Sequence, residues 1–199
     1  MNYGFGDRLT ADFPSQVIVD VTEICNLACV HCPHPQFKLS EHYAARCVPV
    51  ELNEKAVAEV AQYGAQYMRY CGEGEPLLHP KIYNMLDYAV KHSRTFVTLT
   101  TNGTTMNMPR IDKLLASGLH MIDVSIDAFS PETYEKIRIG GDFLKVRSNT
   151  IDLINRARGG KTRIVVSFVE QDENRDEAEA FKSFWTDMGA WRVVVRRLH

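Results

Sequence analysis

Three cysteines crowd into eight residues of this sequence: Cys25, Cys29 and Cys32, spaced C-x3-C-x2-C. Thiolates are soft ligands that suit iron–sulfur clusters, zinc or copper(I). Such close spacing in one loop lets three sulfurs converge on one centre. Three protein thiolates on a [4Fe–4S] cluster leave one iron without a protein ligand. An open coordination position is the mark of a catalytic rather than a purely structural metal site. The competing arrangement is a Cys3His zinc site completed by His31 or His34, although the spacing departs from the common paired C-x2-C zinc pattern. The total of five cysteines is odd, so an internal disulfide framework cannot use them all. In a reducing compartment the cluster points to metal binding or catalysis. Cys47 and Cys71 stand apart and read as small buried hydrophobes.

These residues need a frame. Six short runs rich in β-branched and aromatic residues read as strands: Val17–Val21, Tyr67–Cys71, Thr95–Thr100, Met121–Ile126, Arg163–Val169 and Arg192–Arg196. Helical patterns lie between them. Leu52–Tyr63 carries apolar positions at helical spacing, Pro80–Lys91 opens with proline, and Pro109–Ser117 ends at Gly118. Ser130-Pro131 starts another helix, Phe143–Arg158 ends before Gly159-Gly160, and Asn174–Met188 ends before Gly189. Strand alternating with helix means βαβ units and a parallel sheet with helices outside. Six units are fewer than the eight of a closed barrel, so a partial barrel and a doubly wound sheet both satisfy the rhythm. Either fold places ligands at the C-terminal ends of the strands.

Composition agrees with one folded domain of 199 residues, with 45% hydrophobic and 24% charged residues. Twenty-three basic against 25 acidic side chains argue against a dedicated nucleic-acid binder. No apolar run reaches the length of about 20 residues that a membrane helix needs. The N-terminus lacks the apolar stretch of a signal peptide, so a cytoplasmic location is expected. Residues 1–16 read as a lead segment and residues 17–199 as the core domain. No closing helix follows the sixth strand, so truncation after it is an expectation.

The strand ends carry further polar residues. After the second comes Gly72-Glu73-Gly74-Glu75-Pro76, where glycines allow close backbone approach and carbonyls and carboxylates suit an ammonium group. After the third, Thr101-Asn102-Gly103-Thr104 favours a tight turn. Ser125 and Asp127 follow the fourth, on the same strand face, and alternation points both into a barrel mouth. Arg138 ends the next helical stretch, where it suits a carboxylate or the helix dipole. Glu170, Gln171 and Asp172 follow the fifth strand; Arg196, Arg197 and His199 follow the sixth.

Taken in order, these elements resemble the radical SAM enzymes from about Val17 to the end of the chain. The resemblance implies a partial (β/α)6 barrel, a [4Fe–4S] cluster on Cys25, Cys29 and Cys32, and S-adenosylmethionine (SAM) on the remaining iron. His31, before the last cysteine, matches a position near the adenine. Gly74, Glu75 and Pro76 match the GGEP element that binds the SAM amino group, with Glu73 replacing its first glycine. Asn102 matches a TNG element near the ribose and methionine, and Ser125 and Asp127 match positions at the ribose or carboxylate. The segment Tyr134–Phe143 resembles the SPASM and twitch branch, with Arg138 placed for the SAM or substrate carboxylate. No auxiliary-cluster cysteines occur after Cys71. The implied activity is reductive cleavage of SAM to methionine and a 5′-deoxyadenosyl radical, which abstracts hydrogen from a peptide or small-molecule natural-product substrate. A flavodoxin or ferredoxin is the implied reductant, and no catalytic residue is assigned. The competing class is a non-enzymatic iron–sulfur electron carrier or zinc-binding module. RNA modification gains nothing from the near-neutral charge.

Overall fold

The structure, a computed structural model, describes residues 13–197. Strand β1 (Gln16–Val19) leads through the two-residue strand β2 (Ala28–Cys29) and the one-turn helix α1 (His34–Phe37) to α2 (Val50–Tyr63). The units β3 (Tyr67–Tyr70) with α3 (Ile82–His92) and β4 (Phe96–Thr101) with α4 (Met108–Ala116) follow. Then come β5 (Met121–Ser125), α5 (Pro131–Ile137), the two-residue strand β6 (Arg138–Ile139) and α6 (Phe143–Ala157). Strand β7 (Arg163–Glu170), α7 (Ala178–Asp187) and β8 (Arg192–Arg197) complete the described chain.

Six strands form one parallel sheet in the order β1-β3-β4-β5-β7-β8. The order runs with the sequence and never reverses. A doubly wound sheet needs such a reversal, so the arrangement is the partial (β/α)6 barrel. Side chains alternate across the sheet, which separates two environments. Ile122 and Val124 of β5 and Ile164, Val166 and Phe168 of β7 join the apolar core under the helices, with Phe181 and Trp185 of α7. Truncating such a residue to alanine costs about 2–5 kcal/mol.

The concave face is polar. Arg69 donates from Nε and Nη2 to Thr100 Oγ1 at 2.9 and 2.8 Å, and its Nη2 lies 3.4 Å from Asp123 Oδ2. Arg196 reaches the same carboxylate at 3.6 Å, and the hydroxyls of Ser125 and Ser167 meet at 3.2 Å. A closed barrel fills this space with bulky apolar side chains. Here it stays hydrophilic, as a ligand-facing surface must.

Helix starts follow their caps. Asn107, Ser130 and Asp142 accept from the amides of Arg110, Thr133 and Lys145. Several expected starts shift, and the helix expected from Leu52 begins at Val50, after Pro49. The helix expected from Pro80 begins at Ile82, because Pro76–Leu78 first form a 3₁₀ turn capped by Glu75. The helix expected from Asn174 begins as a 3₁₀ turn at Arg175–Glu177 and becomes α-helical at Ala178. Among the described residues no helix is long and apolar enough to cross a membrane. Most of the lead segment, and His199, lie outside the described residues.

Candidate functional site

The cysteine loop, residues 22–32, leaves the C-terminal end of β1 and is fixed from several sides. Glu23 N donates to Arg46 O and Val48 N to Val21 O, joining it to the segment before α2. Glu75 N donates to Ile24 O at 2.8 Å. Strands β2 and β6 form an antiparallel ribbon in which Cys29 faces Arg138 and Ala28 faces Ile139. His34 Nε2 lies 2.6 Å from Glu23 O and donates to it. That bond holds the loop's own backbone, so His34 serves structure first.

Glycine is required in the facing turn. A Cβ on Gly74 would sit 1.9 Å from the Thr22 carbonyl oxygen, and one on Gly72 would sit 2.0 Å from Asp20 Cγ. The β3 turn therefore lies flush against the cysteine loop, closer than any side chain allows.

A cavity of about 350 Å³ opens between these segments at the C-terminal ends of the strands. Cys25, Cys29 and Cys32 line one part of it; His31, Gly74, Glu75, Asn102, Ser125 and Arg138 line the rest. Nine of the ten residues expected from the sequence thus share one cavity. Among the described residues, no three His, Cys, Asp or Glu side chains close on a point that would hold a single metal ion. Burial pushes the Cys25 thiol above its ordinary pKa. Burial does the same to Cys29, with the Arg138 charge pulling the other way. His31 is pushed down by burial despite the Asp127 carboxylate 3.6 Å from its Nε2.

Glu75 is 3% exposed, and its carboxylate takes three donors. Leu77 N and Thr101 Oγ1 donate to Oε1 at 3.1 and 2.6 Å, and Asn102 N to Oε2 at 2.7 Å. Burial raises its pKa, and the donors from Asn102 and Thr101 oppose that rise. Glu75 therefore joins the β3 turn to the β4 turn. Asn102 continues the chain of contacts: its Nδ2 donates to Asn26 Oδ1 at 3.1 Å, and Asn26 Nδ2 donates to Thr104 Oγ1 at 2.8 Å. Asn26 was not singled out from the sequence, and Thr101 entered only as part of the turn with Asn102. Asn26 lies between the first two cysteines, which is the one feature that marks it.

Asp127 is the expected residue that does not line the cavity. The strand ends at Ser125, and Asp127 has φ 63°, so the alternation that would aim it at the mouth is broken. It is fully buried and holds Arg138, whose Nε and Nη2 donate to Oδ2 at 2.8 and 2.5 Å. Its Oδ1 accepts from Val169 N at 2.8 Å. Burial works against the Arg138 charge, but Asp127, Cys29 and Tyr134 together outweigh it and hold the guanidinium above its ordinary range. The Nη1 of Arg138 lies 3.6 Å from Cys29 Sγ.

Beyond His31 a second cavity of about 590 Å³ lies at the ends of β7 and β8. Glu170, Gln171, Asp172 and Arg197 line it, with Val30 and Arg175. Arg196 points elsewhere, to Asp123 on the concave face. Cys71 lines the first cavity, and Cys47 Sγ lies 3.3 Å from Thr22 Oγ1.

Known proteins with similar sequences and folds bear on this geometry. The family described as the radical SAM superfamily matches residues 19–181. A probable GTP 3′,8-cyclase of Methanococcus maripaludis strain C5 is 27% identical over 177 residues, covering 89% of this chain and 57% of that protein. The mycofactocin maturase MftC of Mycolicibacterium smegmatis is 27% identical over 186 residues, covering 93% of this chain and 45% of the maturase. The chain thus spans about half the length of these relatives. Streptococcus suis SuiB has a similar fold at 16–17% identity. Its crystal structures bound to the precursor peptide SuiA and to S-adenosylmethionine give TM-scores of 0.77 and 0.76, covering 94% of this chain and 40% of SuiB.

Proposed function

This chain belongs to the radical SAM superfamily, and we propose that it is a [4Fe–4S]- and SAM-dependent enzyme that abstracts hydrogen from a peptide or small-molecule substrate. One observation carries the proposal. Cys25, Cys29 and Cys32 line a single cavity whose remaining wall holds Glu75, Asn102, Ser125 and Arg138. The donor set fits a cluster. Soft thiols suit iron–sulfur chemistry, and three of them line one cavity beside an open polar wall. When bound, the cluster and SAM supply the one-electron cleavage that yields methionine and a 5′-deoxyadenosyl radical.

The chain's own residues bind, orient and shield. Cys25, Cys29 and Cys32 would hold the cluster and leave its fourth iron free. The turn at Gly72–Gly74 lines the cavity and would offer its backbone to an ammonium group. Glu75 aligns that turn with Thr101 and Asn102. Ser125 offers a hydroxyl, Arg138 a guanidinium for a carboxylate, and His31 a flat ring for the adenine. Asp127 acts through Arg138 and Val169, a role that replaces the direct contact expected from the sequence.

The second cavity, beside His31, is the place for substrate. A peptide is favoured because MftC is a maturase and SuiB has been seen with its precursor peptide. The cyclase relative keeps a small molecule as the alternative. The SPASM/twitch-like placement rests on the Tyr134–Phe143 segment, and a flavodoxin or ferredoxin is the proposed reductant. The test is anaerobic reconstitution followed by EPR of the reduced protein with and without SAM. A [4Fe–4S]+ spectrum that changes on adding SAM is expected. A cluster indifferent to SAM would favour an electron carrier, and bound zinc without iron would overturn the proposal.

A further inference from the structure

We infer that Arg138, clamped by Asp127, donates a charge-assisted hydrogen bond to the Cys29 sulfur and thereby raises the reduction potential of the cluster held there. This rests on the cofactor assignment proposed above. The guanidinium is divided between two partners. Its Nε and Nη2 take the Asp127 carboxylate at 2.8 and 2.5 Å, which leaves Nη1 for Cys29 Sγ at 3.6 Å. Sulfur is large and its hydrogen bonds are correspondingly long. Arg138 is only 7% exposed, so water screens the contact little.

Backbone on both sides builds the geometry in. Cys29 and Arg138 are register partners in the β2–β6 ribbon, and Val30 N donates to Ile137 O. Asp127 is itself immobilised. Its Oδ1 accepts from Val169 N, and its carbonyl accepts from Asn174 Nδ2 at 2.9 Å. Its left-handed backbone, unusual for a residue other than glycine, persists because these contacts over-determine it. Among the described residues, Cys29 is the one of the three thiols with a cationic donor; Cys25 takes a backbone N–H from Leu27. Reduction adds negative charge to a cluster, and hydrogen bonds to its sulfurs stabilise the reduced form. Arg138 is thus a positioning and tuning residue for the electron-accepting step, whatever it does later for a carboxylate.

The test uses wild type, Arg138→Gln and Arg138→Lys, reconstituted without oxygen and titrated by EPR-monitored redox potentiometry in the absence of SAM. Equal iron content is expected in all three. Arg138→Gln should shift the oxidised-to-reduced ratio about tenfold toward the oxidised form at the wild-type midpoint, about 59 mV for one electron. Arg138→Lys, which keeps the charge, should fall between. Should Arg138→Gln not fold, wild-type protein carrying 15N-arginine decides. Pulsed EPR of its reduced cluster should show a 15N coupling. A full cluster with an unshifted potential in Arg138→Gln, or with no 15N coupling in wild type, overturns this inference and leaves the cofactor assignment standing. A wild-type protein that assembles no iron–sulfur cluster overturns both.

Discussion

The two sides of the barrel mouth are built differently. On one side the turns after β1, β3 and β4 are knit through backbone and buried polar atoms: Glu75 N to Ile24 O, the Glu75 carboxylate to Thr101 and Asn102, and Asn102 to Asn26. On the other side, outside the buried Asp127–Val169–Asn174 contacts and the β7–β8 ladder, the rim of the second cavity carries long ion pairs to exposed arginines. Glu170 lies 3.9 Å from Arg175 and 3.5 Å from Arg197, whose side chains are 63% and 78% exposed. Exposed pairs of this kind contribute about 0–1 kcal/mol each, whereas an unmade buried hydrogen bond costs about 1–3 kcal/mol. The first side is therefore intolerant of change, and the rim of the second is permissive. A fixed cofactor needs the former, and a substrate that varies between relatives needs the latter.

The sharpest way to break this contrast is Gly74→Ala. The new methyl would meet the Thr22 carbonyl at 1.9 Å, and backbone cannot swing aside as a side chain can. A loss of about 3 kcal/mol in denaturant unfolding is expected. A loss below about 1 kcal/mol would show that the two loops are not clamped. A smaller, local effect is expected at Glu23, on the outer edge of the same side. Its carboxylate accepts from Arg46 Nε and from the amides of Ala44 and Arg46, and these contacts hold its pKa at about 2, below the ordinary 4.5. The depressed value means that the contribution is present above pH 4.5 and is lost as pH falls through about 2. An NMR titration should show residues 40–48 loosening in that window; a Glu23 midpoint near 4.5 would refute the attachment. The smallest effect belongs to the open rim. Arg197→Ala should change stability by no more than about 0.5 kcal/mol, and a loss above about 1 kcal/mol would mean that the two sides are alike.

What the sequence made legible follows the same division. The strands could be read because an apolar core selects alternating residues such as Ile122 and Val124, and the cysteines because their spacing is chemistry itself. The turns gained meaning from their order along the chain. The β2–β6 ribbon could not be read. Each strand is two residues long, too short for any periodicity, and its partners Cys29 and Arg138 lie 109 residues apart. Asp127 was misplaced for a related reason. Alternation places it on the face of Ser125, but the chain leaves the sheet at Ser125 and turns left-handed at Asp127. The resulting contacts to Arg138, Val169 and Asn174 are tertiary. The start at Pro80 failed because proline suits a first helical turn without compelling one; the 3₁₀ turn at Pro76–Leu78 comes first.

The ribbon also sets an order of events as the protein is made. Cys29 is synthesised early, but its backbone partner and the cation beside its sulfur arrive only with Arg138. Contacts between residues so distant in sequence form late, since the intervening loop must close first. The nascent chain therefore carries Cys29 without this partner through the translation of β3, β4 and β5, until β6 is made. The wall that faces these thiols is complete only once the chain through β6 has been made.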